Sequence, residues 1–293
     1  MAYYLIMCNQ KDKLTLSSWN IKGGLSDPQR ARKITEAVVD ADCDIILLPD
    51  AWHEDSEFSR YLGEERRLLV SPQEFYEVGY NFYATVYDDD TRPDDNYANY
   101  ALVALVKRGK SIRANPVLLG HRPGFKFDCR LGNKSISAIG VYLSDQSSKM
   151  RLRQVNDLIN LSGNNSPTVL IGDMNELYRK SRLARSMQSS LFKAVARLIH
   201  LENDMLTRLN EMADSAAITQ LEAFGFCDAD HEHRGTMPQN MPVLQLDRVL
   251  TRGVITSDVR HYNHKGLSDH KRIEADIFSC VPPQTDREHS SLL

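Results

Sequence analysis

Apolar residues recur along this chain with two different periods, and the switches between them predict its elements. Leu14-Thr15-Leu16, Ile45-Ile46-Leu47-Leu48 and Val169-Leu170-Ile171 are short runs of strand length, rich in leucine and β-branched residues. Between the first two, Ile34, Ala37, Val38 and Ala41 fall on one helical face, behind Asp27 as a cap and Pro28 in the first turn. Strand 14–20, a helix and strand 44–48 therefore open the pattern. Residues 81–87, 100–107, 111–119 and 135–143 read as successive strands without room for helices between them, which predicts antiparallel pairing. A helix over 149–162 leads to strand 168–172, and strands near 246–251, 254–262 and 272–278 follow. Two β-rich halves, each with covering helices, predict a layered α/β sandwich rather than a doubly wound parallel fold. The sequence holds no internal repeat.

The alternation stops between Leu177 and about Asn210. From Leu177 to Leu201 stand Arg179, Lys180, Arg182, Arg185, Lys193 and Arg197, with no acid among them. Leu183, Met187, Leu191, Val195 and Leu198 fall at helical spacing on the opposite side of a wheel from most of these cations. An inserted amphipathic helix within about 177–212 is predicted. Three readings fit it: a surface helix packed on the domain, a grip on a phosphate backbone with Arg179 and Arg182 nearest the site, or a contact with an anionic membrane. The run Asp88 to Asp95 reads as a solvated acidic loop without the turn residues of a calcium loop. One domain over 1–280 and a disordered tail over 281–293 are expected.

Composition narrows the picture in three ways. With 293 residues, 42% hydrophobic and 26% charged, the chain is long enough to bury a substantial core. Its net charge of −3 excludes a global polycation, although a local basic patch would still serve a polyanionic substrate. Five scattered cysteines (Cys8, Cys43, Cys129, Cys227, Cys280), never in CxxC spacing, favour a reducing, cytoplasmic setting over a disulfide framework. Met1 to Asn9 lack the features of a signal peptide, and no apolar run approaches the ~20 residues of a membrane span.

The chemistry gathers where strands end. Trp19-Asn20, Leu47-Leu48-Pro49-Asp50, Gly172-Asp173-Met174-Asn175 and Ser268-Asp269-His270 place carboxylates, amides and one imidazole at such positions. Hard oxygen ligands beside a general base suit Mg²⁺-assisted attack on a phosphoester. Single residues in these segments have ordinary roles too: a lone Asn at a strand end is a turn residue, and a lone Tyr142 is core. Lys22, beside Gly23-Gly24, suits either a phosphate contact or solvent. Glu54, in His53-Glu54-Asp55, is a substitute ligand only if its side chain turns back toward Asp50, and His231-Glu232-His233 reads as a polar loop.

With Leu246-Asp247-Arg248-Val249-Leu250 added, five motifs stand in one order, and the chain resembles the endonuclease/exonuclease/phosphatase superfamily over roughly residues 14–278. The resemblance implies the DNase I-like fold, a four-layer α/β/β/α sandwich of two mixed, mainly antiparallel sheets. It implies that Asp50, Asn20 and Asp269 hold Mg²⁺ or Mn²⁺, and that Asp247 orients His270. Either His270 or Asp173 would deprotonate the attacking water, Asn175 would orient water or phosphate, and Tyr142 would assist the leaving group. Lys22, Arg179 and Arg182 would bind substrate. Three positions bear on the family pattern: Asp50 replaces the usual glutamate, and Tyr142 stands where DNase I-like nucleases and many phosphatases carry histidine, a tyrosine that instead resembles exonuclease III and the apurinic/apyrimidinic endonucleases. Those relatives carry an acid where this chain has Lys22. The expectation is a metal-dependent phosphodiester hydrolase, a nuclease acting on DNA or RNA. The alternatives are a phosphatase or phosphodiesterase for a small or lipid phosphoester, and a non-hydrolytic binding module on a degenerate site.

Overall fold

The computed structural model describes residues 13–51, 72–86, 101–164, 166–177 and 203–278. Its N-terminal half holds β1 (Lys13–Ser18), α1 (Pro28–Ala41), β2 (Ile45–Leu48), α2 (Pro72–Glu77), β3 (Tyr80–Val86) and β4 (Ala101–Lys107). The middle holds β5 (Ile112–Leu119), β6 (Arg122–Leu131), β7 (Lys134–Tyr142), α3 (Ser148–Ser162) and β8 (Thr168–Asp173). Next come α4 (Asn203–Ala213), α5 (Ala216–Ala223), β9 (Cys227–Asp228) and β10 (Asp247–Arg252). The described chain closes with β11 (Ile255–Thr256), β12 (Arg260–Tyr262) and β13 (Arg272–Phe278).

Two mixed sheets result. One runs β11-β13-β1-β2-β4-β3, with β12 also on β13, and the other runs β5-β6-β7-β8-β10-β9. Only β1–β2 and β7–β8 pair in parallel among the described strands, so both sheets are mainly antiparallel, as predicted. Alternation decides which side chains meet. Leu14, Leu16, Ile45, Leu47 and Ile273 of the first sheet face Phe125, Phe127, Val169, Ile171 and Val249 of the second in one shared core. Burying each such side chain contributes roughly 1.5–3 kcal/mol. Gly140 leaves room for Leu47 of the facing sheet: a Cβ there would lie 2.6 Å from Leu47 Cδ1.

Helices cover both outer faces. Asp27 accepts hydrogen bonds from the backbone N–H of Gln29 (2.8 Å) and Arg30 (3.0 Å), which starts α1 where the cap residue predicts. Its Ala31, Ile34, Ala37 and Val38 pack with Phe75 of α2 on the first sheet. Val155 and Leu158 of α3, with Ile218 and Leu221 of α5, cover the second. Four layers, α/β/β/α, are the outcome.

The structure adds elements that the sequence pattern does not predict. β6 is ten residues long and lies between β5 and β7, yet its first residue is followed by Pro123-Gly124, which reads as a turn. Beyond that opening, Phe125, Phe127, Cys129 and Leu131 point inward and alternate with Lys126, Asp128 and Arg130. The predicted strand 254–262 is two short strands, β11 and β12, both paired to β13. The insert predicted near 177–212 leaves and returns at one neck, where the Leu177 N–H donates to the Met212 carbonyl at 2.8 Å. Arg179, Arg182, most of the amphipathic helix, His53 to Asp55, the Asp88–Asp95 loop and the tail lie outside the described residues. Of the cysteines described, Cys43 and Cys129 are buried and Cys227 is exposed, all three free. No helix among the described residues is long and apolar enough to cross a membrane.

Candidate active site

Strand register assembles the site. In the second sheet Tyr142 is opposite Asp173, and Asp173 is opposite Asp247, so three polar side chains form one row. Cross-strand partners share a face of a sheet. Counting back by two from this row gives Ile171 and Val249, both in the inter-sheet core. The row is therefore the polar end of that core. In the first sheet Ser18 is opposite Ile273, and the Trp19 N–H donates to the Leu47 carbonyl at 2.9 Å. These pairings bring Asn20, Asp50 and His270 to the same end of the sandwich.

The backbone there is bent tightly. Lys22, Asp50 and Asn175 all lie in the left-handed region, with φ of 46°, 51° and 49°. Such conformations cost non-glycine residues about 1–3 kcal/mol and gather at functional sites. Gly172, at φ 147°, allows β8 to pass close to β7, because a Cβ there would sit 2.0 Å from the Val141 carbonyl oxygen.

Hydrogen bonds link the two sheets across this end. His270 Nδ1 lies 2.8 Å from Asp247 Oδ2, and the Asn20 amide donates to Asp173 Oδ2 at 3.0 Å. Asp173 Oδ1 accepts from the Asn175 N–H at 2.9 Å, while the Asn175 amide donates to the Leu143 carbonyl at 2.9 Å. Asp173, Asp247 and His270 present ligand atoms all within 4.8 Å of one another, and all three are buried. Asp50 is buried beside the loop that carries Asn20, its carbonyl accepting from the Gly23 N–H at 2.6 Å. The trio does not include it, nor Asp269, whose Oδ2 accepts from the Lys22 ammonium at 2.7 Å.

Electrostatics divides the roles. Burial, followed by the Asp247 charge, pushes Asp173 up to about 6 against the pull of His270 and its hydrogen bonds. Burial opposes charge on His270, but Asp247, by charge and hydrogen bond, together with Asp173 and Asp269 raises it to about 9. At neutral pH the imidazole is thus cationic and Asp173 is largely ionised. Burial, then the charge of Asp50, holds Tyr142 well above the ordinary phenol range, so it remains a hydrogen-bond donor. Asp269 resists the upward push of burial because the Lys22 hydrogen bond and the His270 charge keep its carboxyl below the usual range.

Several supporting residues are invisible in the sequence. Arg122 lies with its guanidinium 4.6 Å from the Tyr142 ring centroid, donates to the Leu143 carbonyl at 3.0 Å and pairs with Asp145 at 2.5 Å. Thr236 Oγ1 accepts from the N–H groups of Leu246 (3.1 Å) and Asp247 (3.2 Å), fixing the start of β10. Its own carbonyl accepts from Lys271 N–H at 2.9 Å, so one loop grips the start of β10 and the approach to β13. Glu176, next to Asn175, is fully buried against Arg151 at 3.1 Å and accepts from the Ile218 N–H at 2.8 Å. This pair ties α3 and α5 to the end of β8. The partners lie from 10 to 42 residues apart along the chain, and no local spacing signals them. The His231-Glu232-His233 run forms no metal cluster among the described residues, and His233 lies 3.5 Å from Asp228.

A sequence profile described as the Endonuclease/Exonuclease/phosphatase family matches residues 17–270. No curated protein matches the chain by sequence. An endonuclease/exonuclease/phosphatase from Beutenbergia cavernae DSM 12333 superposes with a TM-score of 0.58 at 12% identity, over 92% of this chain and 72% of that one. D. rerio TDP2, solved with a single-strand DNA product, gives 0.51 at 15% identity, over 90% and 98%. The human Nocturnin catalytic domain with a bound sulfate gives 0.53 at 12% identity, over 93% and 96%. At these identities the likeness is one of fold.

Proposed function

The chain belongs to the endonuclease/exonuclease/phosphatase family, and from that premise we propose that it is a divalent-metal-dependent phosphodiesterase whose substrate is a nucleic acid. The observation that carries this reading is the His270–Asp247 pair beside Asp173, with ligand atoms within 4.8 Å of one another and buried at the polar end of the core. A donor phenol at Tyr142 and the single-strand DNA product held by D. rerio TDP2 support a nucleic acid as the substrate.

The residues fit a divalent ion. Asp50 and Asn20 supply hard oxygens, and Asp247 Oδ1 and Asp269 Oδ1 are buried without a hydrogen-bond partner among the described residues. Asp247 Oδ2 already bonds His270, so Asp50 and Asn20 would be the primary ligands, with Asp269 nearby. A bound ion would polarise the phosphoryl group and offset charge developing on its oxygens.

The chain's own groups would do the rest. Asp173 would take the proton of the attacking water, since its carboxylate is poised near 6 and fixed by Asn20 and Asn175. His270, cationic at neutral pH and fixed through Nδ1, would donate from Nε2 to a phosphoryl oxygen. Tyr142 would hydrogen-bond the departing oxygen.

This division of labour fixes the pH profile. Asp173 must be ionised, so kcat/KM rises as pH passes about 6; His270 must be protonated, so it falls as pH passes about 9. Asp247→Asn removes the main support for the imidazolium and moves the alkaline limb toward lower pH. A flat profile from pH 5 to 10 contradicts the scheme.

The substrate class is tested by offering supercoiled DNA, single-stranded DNA, RNA, an abasic duplex and bis-p-nitrophenyl phosphate with Mg²⁺ or Mn²⁺, using His270→Ala as the control. Cleavage of a nucleic acid that the control lacks, weakening steeply with salt, supports the reading. The net charge of −3 favours the second reading, a small or lipid phosphoester. Turnover of only the small ester, flat with salt, would select it.

A further inference from the structure

Tyr142 can assist a departing oxygen only if its ring is held, and one side chain does the holding. Arg122, at the start of β6, is a cation only 4% exposed, and its guanidinium lies 4.6 Å from the centroid of the Tyr142 ring. Its Nη1 donates to the Leu143 carbonyl at 3.0 Å and its Nη2 to Asp145 Oδ1 at 2.5 Å. The planar fork of an arginine serves all of these contacts at once, which the point charge of a lysine cannot. The backbone on both sides of the grip is fixed as well. Gly120, in the turn just before Arg122, has a φ of 57°, and its N–H donates to Asp157 Oδ2 of α3 at 2.7 Å. The Leu143 carbonyl also accepts the Asn175 amide at 2.9 Å, and the Leu143 N–H donates to the Asp173 carbonyl at 2.9 Å. Tyr142 is thus held between a cation on its ring and a stretch of backbone locked to the end of β8.

We propose that Arg122 is the positioning residue of Tyr142, keeping the phenol where it meets the departing oxygen of a phosphodiester without itself touching the substrate. The inference rests on the reading of Tyr142 as the donor to that oxygen. Tyr142 stands opposite Asp173 on the neighbouring strand, so a change at its first side-chain torsion swings the hydroxyl away from the row where the phosphate must lie. The cation against the ring opposes that swing, and it offsets the negative charge that gathers on the phenol oxygen as the leaving oxygen draws on its proton. The guanidinium is buried and engaged by Leu143 and Asp145, so its task is orientation and not a grip on phosphate. Assistance of this kind matters in proportion to the basicity of the leaving oxygen. A p-nitrophenolate departs with little help, while an unsubstituted phenolate or an alkoxide needs much.

The test measures single-turnover rates of the full chain with Mg²⁺ on methyl aryl phosphates whose leaving groups are p-nitrophenol, p-chlorophenol and phenol. Arg122→Met loses at least about tenfold more rate on the phenyl ester than on the p-nitrophenyl ester, and Tyr142→Phe shows the same pattern. The double variant loses little more than Tyr142→Phe alone, because the two residues act as one unit. Arg122→Lys, which keeps the charge, recovers part of the phenyl-ester rate; should Arg122→Met fail to fold, it carries the same comparison with a smaller loss. Equal losses on every ester, or losses that add in the double variant, overturn the inference and leave the phosphodiesterase reading standing. Ring motion is a second readout that needs no turnover. In the chain carrying ring-labelled tyrosine, with Tyr142 assigned by its absence in Tyr142→Phe, nuclear magnetic resonance finds the ring flipping at least about tenfold faster in Arg122→Met than in wild type. Unchanged flipping overturns the inference. A wild type that cleaves no phosphodiester overturns the phosphodiesterase reading, and the flipping rate then decides by itself whether Arg122 holds the ring.

Discussion

Asp173→Asn and His270→Ala each lower kcat by about 10³-fold or more, the scale expected when a positioned base or a charge-stabilising donor is removed. The amide in Asp173→Asn keeps the shape and still accepts the Asn175 N–H but loses the bond from the Asn20 amide, so its effect combines lost proton transfer with one lost hydrogen bond. His270→Ala leaves the buried Asp247 without its main partner, so part of its effect is structural. The double variant His270→Ala/Asp247→Ala separates the two: residues that act as a unit lose little more together than His270→Ala loses alone. Thermal unfolding confirms that each variant is folded, and single-turnover rates measure the chemistry. A variant at either position within about tenfold of wild type removes that residue from the mechanism.

Gly172→Ala has the largest expected effect on the fold. The new Cβ would lie 2.0 Å from the Val141 carbonyl oxygen, which is backbone and has no rotamer to escape into. The φ of 147° is in addition a region that L side chains rarely adopt. Relief requires β7 and β8 to part locally, at the Val141–Gly172 pair and next to the Tyr142–Asp173 pair. Strain and overpacking of this kind cost about 3 kcal/mol or more. Urea unfolding should show the loss as a lower midpoint, with turnover falling in parallel. An unchanged midpoint would mean that the two strands do not approach as closely as described.

What the sequence disclosed, it disclosed through local chemistry. Asp27-Pro28 marks the start of α1, and the apolar runs before Asn20, Asp50 and Asp173 are strands because apolar residues of that length and composition have few other uses. The motifs around Asp247 and His270 identified partners 23 residues apart that the structure brings within 2.8 Å. β6 escaped because a proline and a glycine follow its first residue, and their local preference yields to pairing with β5 there and with both β5 and β7 from Phe125 on. Arg122, Thr236 and the Arg151–Glu176 pair escaped for another reason: their roles exist only once distant segments touch, and a lone arginine or threonine has no spacing to read. Lys22 looked free to meet phosphate, and its bond to Asp269 appears only in three dimensions.

The bonds that cross between the two sheets at the polar end make this enzyme sensitive to how its halves are seated. His270 approaches β13 of one sheet while Asp247 begins β10 of the other; Asn20 follows β1 of the first, and Asp173 ends β8 of the second. A slide of one sheet over the other by about 1 Å would leave every ladder hydrogen bond intact and still separate both pairs, enough to cost on the order of 10²-fold in rate. A larger residue at Gly140, whose Cβ would lie 2.6 Å from Leu47 Cδ1 of the facing sheet, would disturb this alignment. Catalysis is in that sense a gauge of interlayer fit, and it fades on warming or on loosening of the core before either sheet begins to melt.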